Sequence, residues 1–183
     1  LPQLYKSLKN QTNENFEWII VDDGSTDNTR ELIYSLNKSN LNVTYIKQIN
    51  GGKHRAINRG IKYANGDFTI IVDSDDYLTN DAIETIIKWC NTIEGKLEFA
   101  GVSGLKGYSL FKKIGGFPKY IKFIDATNLQ RKKYDLGGDK AEVYRTNILR
   151  QYPFPTFKSE NFIAEGIVWN RIAKDGYKIR WFK

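Results

Sequence analysis

A chain of 183 residues, 40% hydrophobic and 14% aromatic, is sized for one domain with a real core and is too apolar for a disordered one. Its 28 Lys and Arg against 21 Asp and Glu leave a formal charge of +7, which favours anionic partners: nucleic acid, an acidic membrane surface or a phosphorylated small molecule. The single cysteine, Cys90, excludes an intrachain disulfide, and no stretch approaches the ~18 apolar residues of a membrane span or has the form of a signal peptide.

In chain order, Pro2 suits a first helical turn, and Leu4, Tyr5 and Leu8 give one apolar face up to about Asn10. Residues 10–15 form a polar exit loop, and residues 16–21 a short hydrophobic strand ended by Asp22-Asp23-Gly24-Ser25. Thr26 or Asp27 caps the next helix, whose inner face carries Leu32, Ile33 and Leu36. Residues 42–46 alternate toward a strand. After the break at Gly51-Gly52, a helix over 53–65 carries Ala56, Ile57, Gly60, Ile61 and Ala64. Residues 68–72, all β-branched or aromatic, predict a buried strand. Thr79, Asn80 and Asp81 are cap candidates for a helix bearing Ile83, Ile86, Ile87 and Cys90, a small core residue rather than a nucleophile.

From Phe99 the pattern loosens. Residues 99–110 mix Gly101, Gly104 and Gly107 with apolar residues, as strands turning near a pocket do. Gly115-Gly116-Phe117-Pro118 is a turn, residues 126–134 a basic solvent-facing helix, and residues 140–144 an edge or mixed-sheet strand. Pro153 and Pro155 interrupt regular structure. A helix over 165–174 ends near Gly176, and a strand over 177–182 follows. The helix–strand alternation up to the Cys90 helix predicts an α/β fold: a mostly parallel sheet covered by helices on both faces. Parallel strands end on one edge, so Asp22 and Asp23 should share a rim with Asp73 and Asp75, about fifty residues away.

Asp73, Asp75 and Asp76 leave the 68–72 strand together, and three carboxylates cannot be buried there without partners. Hard oxygen ligands at this spacing suit Mg²⁺ or Mn²⁺ holding a phosphate, while an acidic turn or helix cap explains them equally well. A carboxylate at Asp22 or Asp23 can accept from a base N–H or a ribose hydroxyl, or cap the following helix. Neither a G-x-G-x-x-G fingerprint nor a Walker A loop is present. Lys53 opens a helix after two glycines, where a cation and free backbone N–H groups can meet phosphate; an ordinary turn is the plainer reading. His54, the sole histidine, is a phosphate or acceptor contact or else a surface or helix-start residue, and cannot belong to a zinc cluster. Glu165 at a helix start can take a proton from an attacking hydroxyl or simply stabilise the helix. Trp169 and Trp181 read as core or pocket-wall aromatics. No hydrolase elbow and no nucleic-acid-binding motif accompany the positive charge, so no nucleic-acid partner is expected.

Three stretches together, Val21 to Asp27, Gly51-Gly52-Lys53-His54-Arg55-Ala56-Ile57-Asn58-Arg59-Gly60 and Gly66-Asp67 through Asp73-Ser74-Asp75-Asp76, resemble the family 2 glycosyltransferases of the GT-A fold. Later residues, Gly138 to Arg145, Tyr152 to Pro155 and Glu165 to Ala173, resemble the acceptor-side half of bacterial members. The resemblance implies inverting transfer from a UDP-sugar to a saccharide or glycolipid acceptor in bacterial polysaccharide or glycolipid synthesis. It places Asp22 and Asp23 near uracil and ribose, Lys53 among the donor contacts, and Asp73 and Asp75 as the DxD pair, Asp73 toward the ribose or the metal and Asp75 toward Mn²⁺ or Mg²⁺. It makes Glu165 the general base and puts His54, Trp169 and Arg171 near the acceptor or leaving group. It also implies a nucleotide-binding half over 1–98, an acceptor half over 99–183, truncation at both ends including a first strand, and a cytoplasmic protein peripheral to the inner face of the membrane. A nucleotidyltransferase and a noncatalytic nucleotide-sugar or glycan-binding module are the alternatives.

Overall fold

A computed structural model describes residues 1–36, 41–109 and 111–183. The predicted strand region over 99–110 therefore includes one residue, Leu110, that lies outside the described residues. In the first half, α1 (Pro2–Lys9), β1 (Trp18–Asp22), α2 (Thr29–Leu36), β2 (Val43–Lys47), α3 (Lys53–Tyr63), β3 (Phe68–Ile70) and α4 (Ala82–Asn91) follow the predicted order. Asp27 starts α2: its Oδ1 accepts from the Thr29 N–H at 3.1 Å and from the Thr29 hydroxyl at 2.5 Å. None of the residues predicted to cap α4 bonds its first turn through a side chain; that role falls to Gln11, whose buried amide accepts from the Ile83 N–H at 3.0 Å and donates to the carbonyls of Ser7 and Thr79. A free helix end and the exit of α1 thus satisfy each other.

The second half supplies β4 (Phe99–Leu105), the hairpin β5 (Gly107–Ser109) and β6 (Lys112–Lys113), β7 (Phe123–Ala126), a 3-10 helix (Asn128–Tyr134), β8 (Lys140–Arg145), α5 (Thr146–Gln151), α6 (Gly166–Lys174) and β9 (Lys178–Phe182). The 126–134 prediction takes the tighter 3-10 form, fixed by a reciprocal cap between Thr127 and Gln130, and it buries none of its residues. Five strands form one sheet in the order β3-β8-β4-β9-β7, and β1 and β2 form a separate parallel pair.

The α/β architecture holds, while strand direction is more mixed than the alternation predicts. β4 and β9 are parallel, but β8 is antiparallel to both β3 and β4, and β7 is antiparallel to β9. The reason is the route taken. β8 is reached through a hairpin, β7 and a 3-10 turn rather than a single crossover helix, so it returns in the opposite direction. It also lies inside the sheet, not at an edge, and so joins the first half of the chain to the second through β3.

Register puts the ends of β3, β4 and β9 on one rim: Ile70 lies opposite Val143, Leu105 opposite Lys140, and Ser103 opposite Trp181. One face of the sheet packs Tyr144, Ile179 and Trp181 against Val168, Trp169 and Ile172 of α6 and Ile148 and Leu149 of α5. The other packs Val102, Val143 and Phe182 against Cys90 and Ile93. Burial pushes the Cys90 thiol up to about 12, so it acts as a small apolar side chain.

Gly101 is where β4 and β8 approach most demandingly. A Cβ there would overlap the Val143 carbonyl oxygen and sit 2.9 Å from Tyr144 Cα. Gly101→Ala should cost about 2–3 kcal/mol, seen as a lower urea midpoint at constant m-value; an unchanged midpoint would contradict this packing.

Candidate active site

At the end of β1 the two adjacent aspartates have different work. Asp22 is buried, and its carboxylate accepts from the Ser25 N–H at 2.7 Å and the Tyr45 hydroxyl at 2.6 Å, with the Lys47 ammonium 3.7 Å away. Burial pushes its carboxyl up, but the Tyr45 and Ser25 hydrogen bonds and Lys47 outweigh that and hold it below its usual value. The Tyr45 hydroxyl is pushed up to about 12 by burial and by the bond to Asp22. Asp23 instead accepts from the backbone N–H groups of Gly51 at 2.9 Å and Gly52 at 2.7 Å, and from the Gln48 amide at 2.7 Å. It thereby fixes the turn before α3. Gly52 has φ +94°, and a Cβ on it would collide with the Asn161 carbonyl, so only glycine fits this turn.

The next residue is Lys53, the first of α3. Its ammonium lies 2.5 Å from Asp73 Oδ1 and 2.9 Å from Glu165 Oε1. Partial burial pulls its pKa down, but the hydrogen bonds it donates to both carboxylates, with their charge, more than compensate and leave it raised. Lys53, Asp73 and Glu165 thus form one ion-paired cluster, and Asp23 holds the turn from which Lys53 starts α3. The single parallel sheet from which a shared rim was expected is not formed, since among the described residues β1 pairs only with β2. Asp75 lies on the same turn, exposed and with no side-chain partner among the described residues.

Glu165 reaches Lys53 because α3 anchors the irregular segment ahead of α6. Arg55 donates to the carbonyls of Gly51, Phe157 and Glu160, and Asn58 exchanges bonds with the backbone of Phe154 at 2.8 and 2.9 Å. One turn beyond Glu165, Trp169 stacks on Tyr144 at 4.2 Å and meets Phe154 edge-on. Trp169 is therefore buried framework rather than an open acceptor surface. Arg171 is exposed, but its guanidinium donates to the Pro153 carbonyl at 2.8 Å and so braces the same segment. His54 sits at a helix start as expected but is buried, not on the surface, and neither ring nitrogen has a hydrogen-bond partner among the described residues.

A second lysine bridge lies outside the motifs singled out in the sequence. Lys106, just past β4, lies 2.9 Å from both Asp76 Oδ2 and Asp139 Oδ2. Its position immediately after a strand, on the rim where β3, β4 and β9 end, is the signal that marks it. Behind it, Glu142 faces Ser103 across the sheet; burial pushes its carboxyl up to about 7, against the pull of Arg131 at 3.6 Å. The hydroxyls of Ser103 and of Tyr144, on the same sheet face, have no partner among the described residues. An open cleft of about 950 Å³ adjoins the Asp23 turn, lined by Gly24, Ser25, Gln48 and Asn50 with the cations Lys47, Arg55 and Arg59.

The donor set for a divalent ion is limited but chemically apt. Among the described residues no group of three or more His, Cys, Asp and Glu side chains is arranged to hold a metal. Asp73 and Asp75 offer two accessible carboxylates, and Mg²⁺-type ions commonly take one or two carboxylates and complete their shell with substrate phosphates and water. The residues present fit such an ion.

Residues 1–102 match the family model for glycosyl transferase family 2. The chain belongs to this family. Among its relatives, the glycosyltransferase GlyA of Streptococcus pneumoniae is 37% identical over 176 residues, covering 93% of this chain and 24% of GlyA. A GalNAc(5)-diNAcBac-PP-undecaprenol beta-1,3-glucosyltransferase of Campylobacter jejuni is 27% identical over 96% of this chain and 56% of its own length. Two crystal structures of S. aureus TarS 1-349, in complex with UDP and with UDP-GlcNAc, superpose with TM-scores of 0.75 and 0.73 at 24% and 25% identity. They cover 99% of this chain and 53% and 51% of theirs. The chain thus spans between a quarter and somewhat over half of these relatives. The family 2 match ends within β4, so Glu165 lies outside it and its place in the site is given by the ion pair with Lys53.

Glu142 yields a stability prediction. Its folded pKa exceeds that of an unfolded glutamate, so the folded state holds the proton more tightly and stability falls as pH rises from about 4.5 to 7. Glu142→Gln removes that loss: it should match the parent below pH 4.5 and exceed it by about 1–3 kcal/mol above pH 7, as read by denaturant unfolding at the two pH values. Equal stability at high pH would mean that Arg131 fully compensates the charge.

Proposed function

We propose that this family 2 domain transfers a sugar from a nucleotide-sugar donor, specifically a UDP-sugar, to a hydroxyl of a saccharide or glycolipid, with inversion at the anomeric carbon. The observation that carries the reading is Lys53, whose ammonium joins a carboxylate of the acidic turn to the carboxylate at the start of α6. A phosphate-seeking cation and a proton acceptor thereby stand side by side. The UDP-GlcNAc held by TarS and the names of the curated relatives support the donor class and the reaction type.

In this mechanism Asp22 and the turn held by Asp23 border the base and ribose, with the adjoining cleft receiving that end of the donor. Lys53 directs its charge at the diphosphate. Asp73 and Asp75 would hold Mn²⁺ or Mg²⁺, which supplies neutralisation of charge on the departing diphosphate. Glu165 accepts the proton of the acceptor hydroxyl as that oxygen bonds to the anomeric carbon. The bond from that carbon to the diphosphate breaks on the opposite face, and its electron pair leaves with UDP. Attack in line with the leaving group inverts the centre without a covalent sugar–enzyme species.

The two carboxylates should separate kinetically. In the full-length protein, Glu165→Gln should keep donor affinity within about twofold and lower kcat about 10²–10⁴-fold. Asp75→Ala should abolish the Mn²⁺-dependent part of donor binding, measured by calorimetry with and without the ion. Undiminished transfer by the Glu165→Gln protein would remove that residue as the base, and metal-independent donor binding by the parent would remove the ion from the scheme.

A further inference from the structure

Between positions 106 and 123 the chain carries five lysines and no acidic residue. Lys106 is engaged by Asp76 and Asp139, but Lys112, Lys113, Lys119 and Lys122 are exposed, with no carboxylate in ion-pair reach among the described residues. Large apolar side chains are interleaved with them: Phe111 is 98% exposed, Tyr120 90% and Tyr108 71%, with Ile121 and Phe123 nearly half exposed. Single exposed apolar residues are ordinary on a protein surface, but five within sixteen positions of the sequence are a concentration that solubility does not call for.

The display is built, not frayed. The hairpin is closed by a bond from the Ile114 N–H to the Lys106 carbonyl at 2.8 Å, and Phe117, between its two apolar tips, is buried in the core. Both arms emerge from one rim of the sheet. The hairpin leaves β4 after Leu105, which lies opposite Lys140, and the second arm enters β7 at Phe123, which lies opposite Phe182 at the end of β9. This is the rim on which Asp76, Lys106 and Asp139 meet.

We propose that the strip from Phe111 to Phe123 docks on an anionic lipid bilayer, its lysines against the headgroups and Phe111, Tyr120 and Ile121 in the interfacial layer. The lysines are complementary to an acidic headgroup surface. The apolar residues decide between a bilayer and a dissolved polyanion: Phe111 and Ile121 have no hydrogen-bonding group, Ile121 has no ring to stack on a sugar, and both leave water only by entering an apolar layer. If the transfer reading above is right, docking at this rim presents a lipid-linked acceptor to the face that carries Glu165; the docking itself does not depend on that reading.

The test is flotation of the full-length protein with vesicles of phosphatidylcholine, with and without phosphatidylglycerol. The parent should bind the mixed vesicles and not the neutral ones. Lys112→Gln, Lys113→Gln, Lys119→Gln and Lys122→Gln together should weaken binding at least about tenfold. Phe111→Ser with Tyr120→Ser should weaken it at least about fivefold while leaving the unfolding midpoint unchanged, since both side chains are in solvent. Equal binding to neutral vesicles, or parent-like binding by either variant, overturns the proposal. Loss in the lysine variant alone, with competition by soluble polyglutamate, reassigns the surface to an anionic polymer. UDP binding without vesicles, measured by calorimetry on the same proteins with Mn²⁺, tests the nucleotide-sugar reading separately: its absence in the parent would sink that reading and leave the vesicle result standing.

Discussion

The Lys53 ammonium between Asp73 and Glu165 is the contact on which the site depends. Two carboxylates drawn from turns about ninety residues apart repel each other unless a cation stands between them. Remove the lysine and the acidic turn has no reason to face the start of α6. The pair is worth little as stability, because all three side chains are between 30% and 46% exposed and water screens them. Its value is orientation, and the same exposure leaves the ammonium open to an incoming phosphate.

The rest of the first rim exists to place that lysine. Asp23 spends its carboxylate on three N–H donors of the β2–α3 connection, and a glycine with positive φ completes the turn from which α3 starts. Arg55 and Asn58, further along the same helix, hold the backbone that leads into Glu165. Helix α3 therefore connects the strand-end acids to the late, irregular part of the chain, and a single rigid element sets the relative position of both. Side chains named for chemistry in such a site divide between those that face the opening, such as Asp75, and those that hold the frame, such as Asp23, Trp169 and Arg171.

Much of this was legible in the sequence, for reasons that are local. Strand composition and helical periodicity are short-range signals, and they locate β1, β2, β3, α3 and α6, with Asp22 ending β1 and Asp73 and Asp75 just past β3. What escaped depends on partners far away in the chain. Nothing near residues 140–145 encodes that β8 runs antiparallel inside the sheet, since direction is set by the route taken from β4. The burial of His54 cannot be read from its charged neighbours Lys53 and Arg55, and the Lys106 bridge joins residues thirty or more positions apart. Trp169 and Arg171 were recognised as belonging to this region, yet only their contacts with Tyr144 and Pro153 show that they brace it.

The most direct measurement is a crystal structure of the full-length protein with UDP and Mn²⁺. The account predicts the diphosphate beside Lys53 and Asp75, with the uridine end toward Ser25 and Asn50. Nucleotide bound instead at the opposite rim, in the cleft bordered by Asp67, Arg145 and Arg150, would contradict it.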